Sequence, residues 1–544
     1  MNTLVLPGPL FFFAALLVLG ALAYALNRWP LLAGAIAAGG CLVLAWVALR
    51  RIGGMPLLGQ GVDLLGRGAR LSSRFELLGR TWMLTKSSLA GLGLMLTLGG
   101  LCFLLALPTP HGWAFYPFGL ATLGVLTLAL TAQQYVYALL LIWLAGCLMV
   151  FVLAGGRPGE TTAALRSLVM ISLGVMPLLL LPRYLTTDAA GYVIAPDSAA
   201  PALTIQAGQT AMLLMAAGMA ILLSMVPFHG QLVAMGRHAA PMALPFALTV
   251  LPTVVLHTCF RLWEAHPALL SGEFVFDVCR WTGIAAVFLG GLGALGQRRW
   301  GALAGYVTLV DWGAGLIALG LGTRAGAEQM VQMLIWRAFS LLLVGVGWGT
   351  IFRATGRRDD LERSADAVRR HPLGVLMLVL GLLSLAGFPL SPGGLGRWPL
   401  LDRAVLGQPV SEWPATARVL VLAGAAASLG VVVTLGRCLS STARSHAGDD
   451  RRPTGEDRAA DGQETKASPA ETSDGNQEKT QEPRTERRGA QGAQQARRRQ
   501  ELEALLSAGV SLLAIWLLGA LVLAPGPWIE LARRLVGNLA FSGN

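Results

Sequence analysis

Lysine is nearly missing from this chain of 544 residues: only Lys86, Lys466 and Lys479 occur. Charge of any kind is scarce, at 13% of residues, where a soluble domain carries about a quarter. That shortage excludes an ordinary water-soluble globule. The six cysteines (Cys41, Cys102, Cys147, Cys259, Cys279 and Cys438) are scattered, with no CxxC pair and no Cys/His cluster. Zinc, haem and iron–sulfur centres need such clusters, so no metal or redox centre is expected. Cys259 and Cys279 read as packing residues. No Gly-rich nucleotide-binding turn opens a soluble domain either.

Apolar residues are abundant instead, at 54% with a mean hydropathy of +0.60. Runs near twenty residues recur along almost the whole length, each able to cross a hydrocarbon core of roughly 30 Å. The fold class is therefore an all-α integral membrane protein in the lipid bilayer. About fourteen spans are expected, near 5–27, 30–49, 84–107, 113–132, 134–155, 163–183, 204–226, 240–262, 276–296, 301–322, 328–352, 372–391, 416–437 and 504–524. The first run lacks a basic leader and is followed at once by a second, so it reads as a retained helix.

The net charge of +12 does not point to nucleic acid, because no basic stretch is interleaved with base-stacking aromatics. Arginine gathers in short loops instead, as the positive-inside bias predicts. The loop Arg353–His371 holds six Arg against four acids, and Arg28, Arg157, Arg237, Arg298 and Arg299 fall on its side. Both termini are then expected outside. One loop disagrees: 51–83 is basic yet is counted outside. Either it lies amphipathically on the membrane, or the helix count slips there. Residues 440–500 contain no Val, Ile, Leu, Met, Phe, Trp, Tyr or Cys and cannot bury enough apolar surface to order themselves. They read as a disordered inner-side loop, a tolerated insertion or a docking tail. The expected organisation is 1–112, N-terminal helices and amphipathic loop; 113–439, core; 440–502, disordered loop; 503–544, last helix and tail.

Two segments carry proline inside membrane helices: Leu223–Gly230 (LSMVPFHG), with Pro227, and Leu383–Arg397 (LSLAGFPLSPGGLGR), with Pro389 and Pro392. Proline frees backbone carbonyls, which a membrane chain tolerates only where protein or water satisfies them again. Paired broken helices in separate halves mark the ion path in transporters built from inverted repeats.

These segments resemble the antiporter-like subunits of respiratory complex I, of the NADH-quinone oxidoreductase subunit N type, and the related Mrp cation/proton antiporters. The likeness runs from about residue 84 to 440 and weakly through Leu518–Trp528. It rests on the SLAG-type second segment, Val226–His229 followed by Pro241 and Arg261, Gln297 with Tyr306 and Gly313, and Asp360–Leu361 before His371–Pro372. It implies five-helix units in inverted repeat, each with a broken helix, and a proton path of mid-membrane ionisable groups. It also implies other membrane-arm subunits as partners, a bacterial cytoplasmic membrane, and NADH, FMN and Fe–S clusters held by partner chains. Alternative readings are an Mrp-type antiporter or membrane-bound hydrogenase subunit, or a paralogue that no longer pumps.

At the family's ionisable positions the chain departs from the pattern. Leu144 stands where a Glu belongs, Leu222 and Pro252 where lysines belong, and only Arg397 keeps charge. A buried lysine can exchange protons because desolvation draws its pKa towards neutrality; a guanidinium stays protonated. Arg397 is thus a fixed charge. Asp311 and Arg337 remain inside spans, each thirteen residues from the turn near Arg324, hence roughly 20 Å deep on neighbouring helices. Buried membrane charges pair, so an Asp311–Arg337 ion pair is expected, for helix register or for ion transfer. His257, inside a span, either stands in for a lost lysine or packs as a polar side chain. His229 resembles the family's motif histidine at the inner mouth.

Overall fold

The computed structural model describes residues 5–52, 70–77, 79–155, 161–185, 201–270, 273–356, 367–389, 391–405, 415–449, 508–514, 516 and 524–537. Apolar runs become helices because lipid offers no partner for backbone N–H and C=O groups. In chain order these are α1 Gly8–Ala25, α2 Pro30–Ile52, α3 Lys86–Leu105, α4 Phe115–Thr131, α5 Tyr135–Ala154, α6 Thr162–Leu180 and α7 Pro201–Leu222. They continue with α8 Gly230–His238, α9 Ala243–Ala265, α10 Phe274–Leu295, α11 Trp300–Leu319 and α12 Arg324–Ala354. The last four are α13 Pro372–Ala386, α14 Pro392–Val405, α15 Ala415–Asp449 and α16 Gly526–Val536.

Among the described residues ten helices are long and apolar enough to cross a membrane. Three shorter apolar helices, within α4, α7 and α13, occupy further expected spans. The fourteenth span, 504–524, lies mostly outside the described residues, as does the loop beyond Asp449. Helix α15 itself runs through Asp449, past residue 440, where disorder was expected to begin. A nucleated helix extends at little cost through residues such as Ala and Arg without needing packing.

The helices form an inner and an outer set. Most of α3, α9, α11 and α12 is buried, whereas α1, α2, α5, α6, α10 and α15 bury 33–44% of their spans. The outer set thus keeps broad apolar faces for lipid or partner chains. With no hydrophobic driving force between helices in lipid, close approach rests on small residues. Where α10 meets α11, a Cβ on Gly313 would stand 2.6 Å from the Gly283 carbonyl oxygen.

Four short strands lie at one end of the bundle. Strand β1 (Val5–Pro7) pairs in parallel with β2 (Arg70–Ser72), and β3 (Arg74–Leu77) pairs antiparallel with β4 (Arg80–Met83). Trp82 forms an isolated bridge to Ala132, and Arg80 donates to Gln134 at 3.1 Å. The described part of the basic loop is therefore a hairpin tied to the N-terminal end and to the α4–α5 turn. Alternating Arg, Phe, Glu and Leu along β3 suits a strand's period of two. Helix α16, whose Arg533 meets Glu328 of α12 at 3.7 Å, packs at this same end.

Candidate functional site

Both proline-bearing segments break their helices as expected. Helix α7 ends at Leu222, and α8 begins at Gly230 after a turn with Ser224 at φ +52°. Helix α13 ends at Gly387, at φ +81°, before α14 begins at Pro392. Gly387 is required twice over: the left-handed backbone favours glycine, and a Cβ there would run into the Arg397 guanidinium.

The freed carbonyls at both breaks converge on the middle of α11. Arg397 of α14 folds back, donating from Nη1 to the Ala386 carbonyl at 2.7 Å and from Nη2 to the Leu385 carbonyl at 2.5 Å. The same Nη2 lies 3.2 Å from Asp311 Oδ1. Asp311 Oδ2 accepts from Arg337 Nε at 2.5 Å. Next to Asp311, Trp312 donates its indole N–H to the Leu223 carbonyl at the first break. The Arg337 guanidinium lies over the Trp312 ring, 4.0 Å from its centroid, a cation–π contact. Asp311, Arg337 and Arg397 are all buried, at 2%, 1% and 4% exposure.

One carboxylate and two guanidiniums thus leave one net positive charge in the interior. Hydroxyls extend the lattice: Ser384 Oγ lies 2.7 Å from Ser340 Oγ and accepts from the Gly393 amide at 2.9 Å. Gln329 donates to the Gly396 carbonyl. Arg337 keeps Nη1 and Nη2 buried without a hydrogen bond. Chemically the arrangement holds helices together. Both oxygens of its one acid already accept from guanidinium groups, which cannot take up a proton.

The other candidates lie elsewhere. His257 is buried on α9, beside the backbone of Leu130. It borders a cavity of about 50 Å³ shared with Gln133, Tyr135 and Arg261. That volume can hold a water molecule. His229 is half-buried at the first break, its Nδ1 unpartnered. Pro227 and Pro389 are exposed, whereas Pro392 is buried.

Of the positions expected to carry charge from the resemblance, Leu222 packs on Gly174 of α6 and borders a small apolar void with Ile142, Leu178 and Cys259. Pro252 is buried within α9, and Leu144 faces outward from α5. Among the described residues no group of three or more His, Cys, Asp or Glu can hold a metal.

The sequence placed Asp311 and Arg337 at one depth but did not bring Arg397 to them. It missed Trp312 altogether. The signal available was an indole N–H beside a mid-span acid, since a buried Trp seeks an acceptor.

A family model described as "NADH:quinone oxidoreductase/Mrp antiporter, TM" matches residues 133–420, which include both breaks and all three charges. The chain belongs to this NADH:quinone oxidoreductase/Mrp antiporter family. NADH-quinone oxidoreductase subunit N of Ectopseudomonas mendocina is 28% identical over 197 residues, 36% of this chain and 40% of that one. Formate hydrogenlyase subunit 3 of Escherichia coli is 26% identical over 267 residues, 46% of this chain and 41% of that one. The chain thus spans about two fifths of the length of these curated relatives. A chain of the Mrp complex from Dietzia superposes with a TM-score of 0.64 at 17% identity, covering 98% of this chain and 96% of that one. A chain of Thermus thermophilus respiratory complex I gives 0.60 at 17%, covering 96% and 99%. Over nearly its full length, then, the chain has the antiporter-family fold of a multi-pass membrane protein.

Proposed function

We propose that this chain is a membrane-arm subunit of a complex I-type NADH- or ferredoxin-quinone oxidoreductase in a bacterial cytoplasmic membrane. In it, Asp311, Arg337 and Arg397 clamp the two broken helices and do not relay protons. The observation that carries this reading is the meeting of both breaks at Asp311–Trp312 through donors that do not titrate. NADH, FMN and Fe–S clusters belong on this reading to partner subunits, and the termini face outward. Exposed Pro227, Phe388 and Pro389 at the breaks support close membrane partners, because irregular backbone at membrane depth needs a cover of protein or water. His257 and His229 stay outside the clamp and are the remaining titratable candidates for a residual path.

A second reading, a subunit of a hydrogenase assembly, is favoured by the long aligned stretch with formate hydrogenlyase subunit 3. Purification of the native assembly separates the two by its partner chains: NADH- or ferredoxin-oxidising subunits with a quinone site, or a hydrogenase. Proton-to-electron stoichiometry then tests the clamp. An Arg397→Met/Arg337→Met/Asp311→Leu variant that assembles is expected to keep it unchanged. Loss of pumping with intact electron transfer would overturn the clamp reading.

A further inference from the structure

A cleft of about 610 Å³ opens at the end of the bundle that carries the N-terminal strands, roughly 20 Å along α12 from Arg337 of the clamp. It lies where α3 and α12 begin, where α9 ends, and under α16. Lys86, Arg261, Arg324, Arg533 and Arg534 line it together with Glu264 and Glu530. Glu328 stands beside it and serves two guanidiniums, Arg324 at 3.2 Å and Arg533 at 3.7 Å. Arg534 pairs with Glu530 at 2.7 Å. Arg261 donates to the Ala132 carbonyl at 2.7 Å and has Glu264 as its neighbouring carboxylate. Five cations against three carboxylates leave two positive charges, and Lys86 has no ion pair among the described residues. Thr85 and Ser87 add hydroxyls to the lining.

We propose that this cleft binds a phosphate-bearing anion, supplied as the headgroup of an acidic lipid. Its charge excess matches a phosphate, and guanidinium forks with a lysine and hydroxyls are the donors such a group takes. Its volume is that of a small-ligand site. Its position selects the source. The cleft sits at the ends of membrane helices, where lipid phosphates lie, and its roof is α16. Leu531, Ala532, Leu535 and Val536 of α16 are buried, Trp528 packs edge-on against Phe339 at 5.4 Å, and Arg533 and Arg534 point the polar side at the cleft. Basic residues gathered at the ends of membrane helices are the groups that hold anionic lipid headgroups. The site stands apart from the proposed clamp and does not depend on what the assembly transports.

The test uses the full-length protein, stripped of lipid in a neutral detergent. Phosphatidylglycerol, phosphatidylcholine or inorganic phosphate is added, and binding is read by native mass spectrometry and by melting temperature. Phosphatidylglycerol is expected to be retained and to raise the melting temperature, with phosphatidylcholine doing neither. Lys86→Gln and Arg533→Gln lie on exposed side chains; each is expected to weaken phosphatidylglycerol binding about fivefold, with lipid-free melting unchanged. Arg280→Gln, outside the cleft, is expected to leave binding as it was. Inorganic phosphate that binds and displaces the lipid would confirm the phosphate chemistry and add a soluble source. Equal retention of both lipids, unchanged binding in both variants, or an acidic partner segment cross-linked at position 86 in the native assembly would overturn the proposal.

Discussion

The two broken helices solve one problem with different chemistry. At the second break a charged side chain of the same segment, Arg397, turns back onto the carbonyls of Leu385 and Ala386. At the first, a neutral indole from another helix reaches Leu223, and local backbone bonds do the rest: the Met225 amide to the Ala220 carbonyl at 2.7 Å, and the Phe228 amide to the Met225 carbonyl at 2.6 Å. The charged lattice reaches the second break through Arg397, which a carboxylate and two carbonyls receive. Around the first, Leu222 lies against α6 and Leu144 faces outward. A broken membrane helix therefore needs donors for its carbonyls, but it does not need ionisable ones.

The sharpest way to break this contrast is to remove the acid. Asp311→Ala leaves two buried guanidiniums without a counter-charge, a loss of about 3–5 kcal/mol, read as collapse of the melting transition in detergent. The triple replacement Asp311→Leu/Arg337→Met/Arg397→Met is expected to melt well above the single variant, because apolar packing replaces a buried ionic triad at little cost. A triple variant less stable than Asp311→Ala would mean that the ionic lattice is itself the main support. Next in size, Arg397→Lys keeps the charge but cannot reach Asp311 and two carbonyls together. A loss of about 1–3 kcal/mol is expected, measured by chemical unfolding.

Trp312→Phe probes the neutral break. It keeps a ring under Arg337 but orphans the Leu223 carbonyl, for about 1–3 kcal/mol. Trp312→Phe equal to wild type would show that the first break is held by its backbone alone. Ser384→Ala removes the hydroxyl shared by Ser340 and the Gly393 amide, and about 1 kcal/mol is expected.

The smallest effect lies outside the membrane spans, on α16. The hydrogen bond from Arg534 holds the exposed Glu530 carboxyl below its ordinary range. A depressed acid contributes its stability above its unfolded pKa and loses it as pH falls through the folded one. Acidification below the usual glutamate range is therefore expected to loosen α16, read as a change in Trp528 fluorescence that Glu530→Gln abolishes.

Hydropathy located the spans, because only a helix satisfies the backbone in lipid, and proline with glycine located both breaks. Counting residues from the turn at Arg324 placed Asp311 and Arg337 at one level, and a scan for lysine found none in the middle of an expected span. These readings need only composition and helical rise. The folding of the 70–83 segment into strands was less legible, since its pairing partners Val5–Pro7 and Ala132 are remote in sequence. Tertiary structure alone decided that Arg397 joins Asp311, that Trp312 reaches the other break, and that α16 roofs a basic cleft. The reason is rotational. Membrane helices are apolar on nearly every side, so their sequence sets depth but not which face meets which neighbour. That choice is made only when glycines let backbones close and the few buried donors find their acceptors.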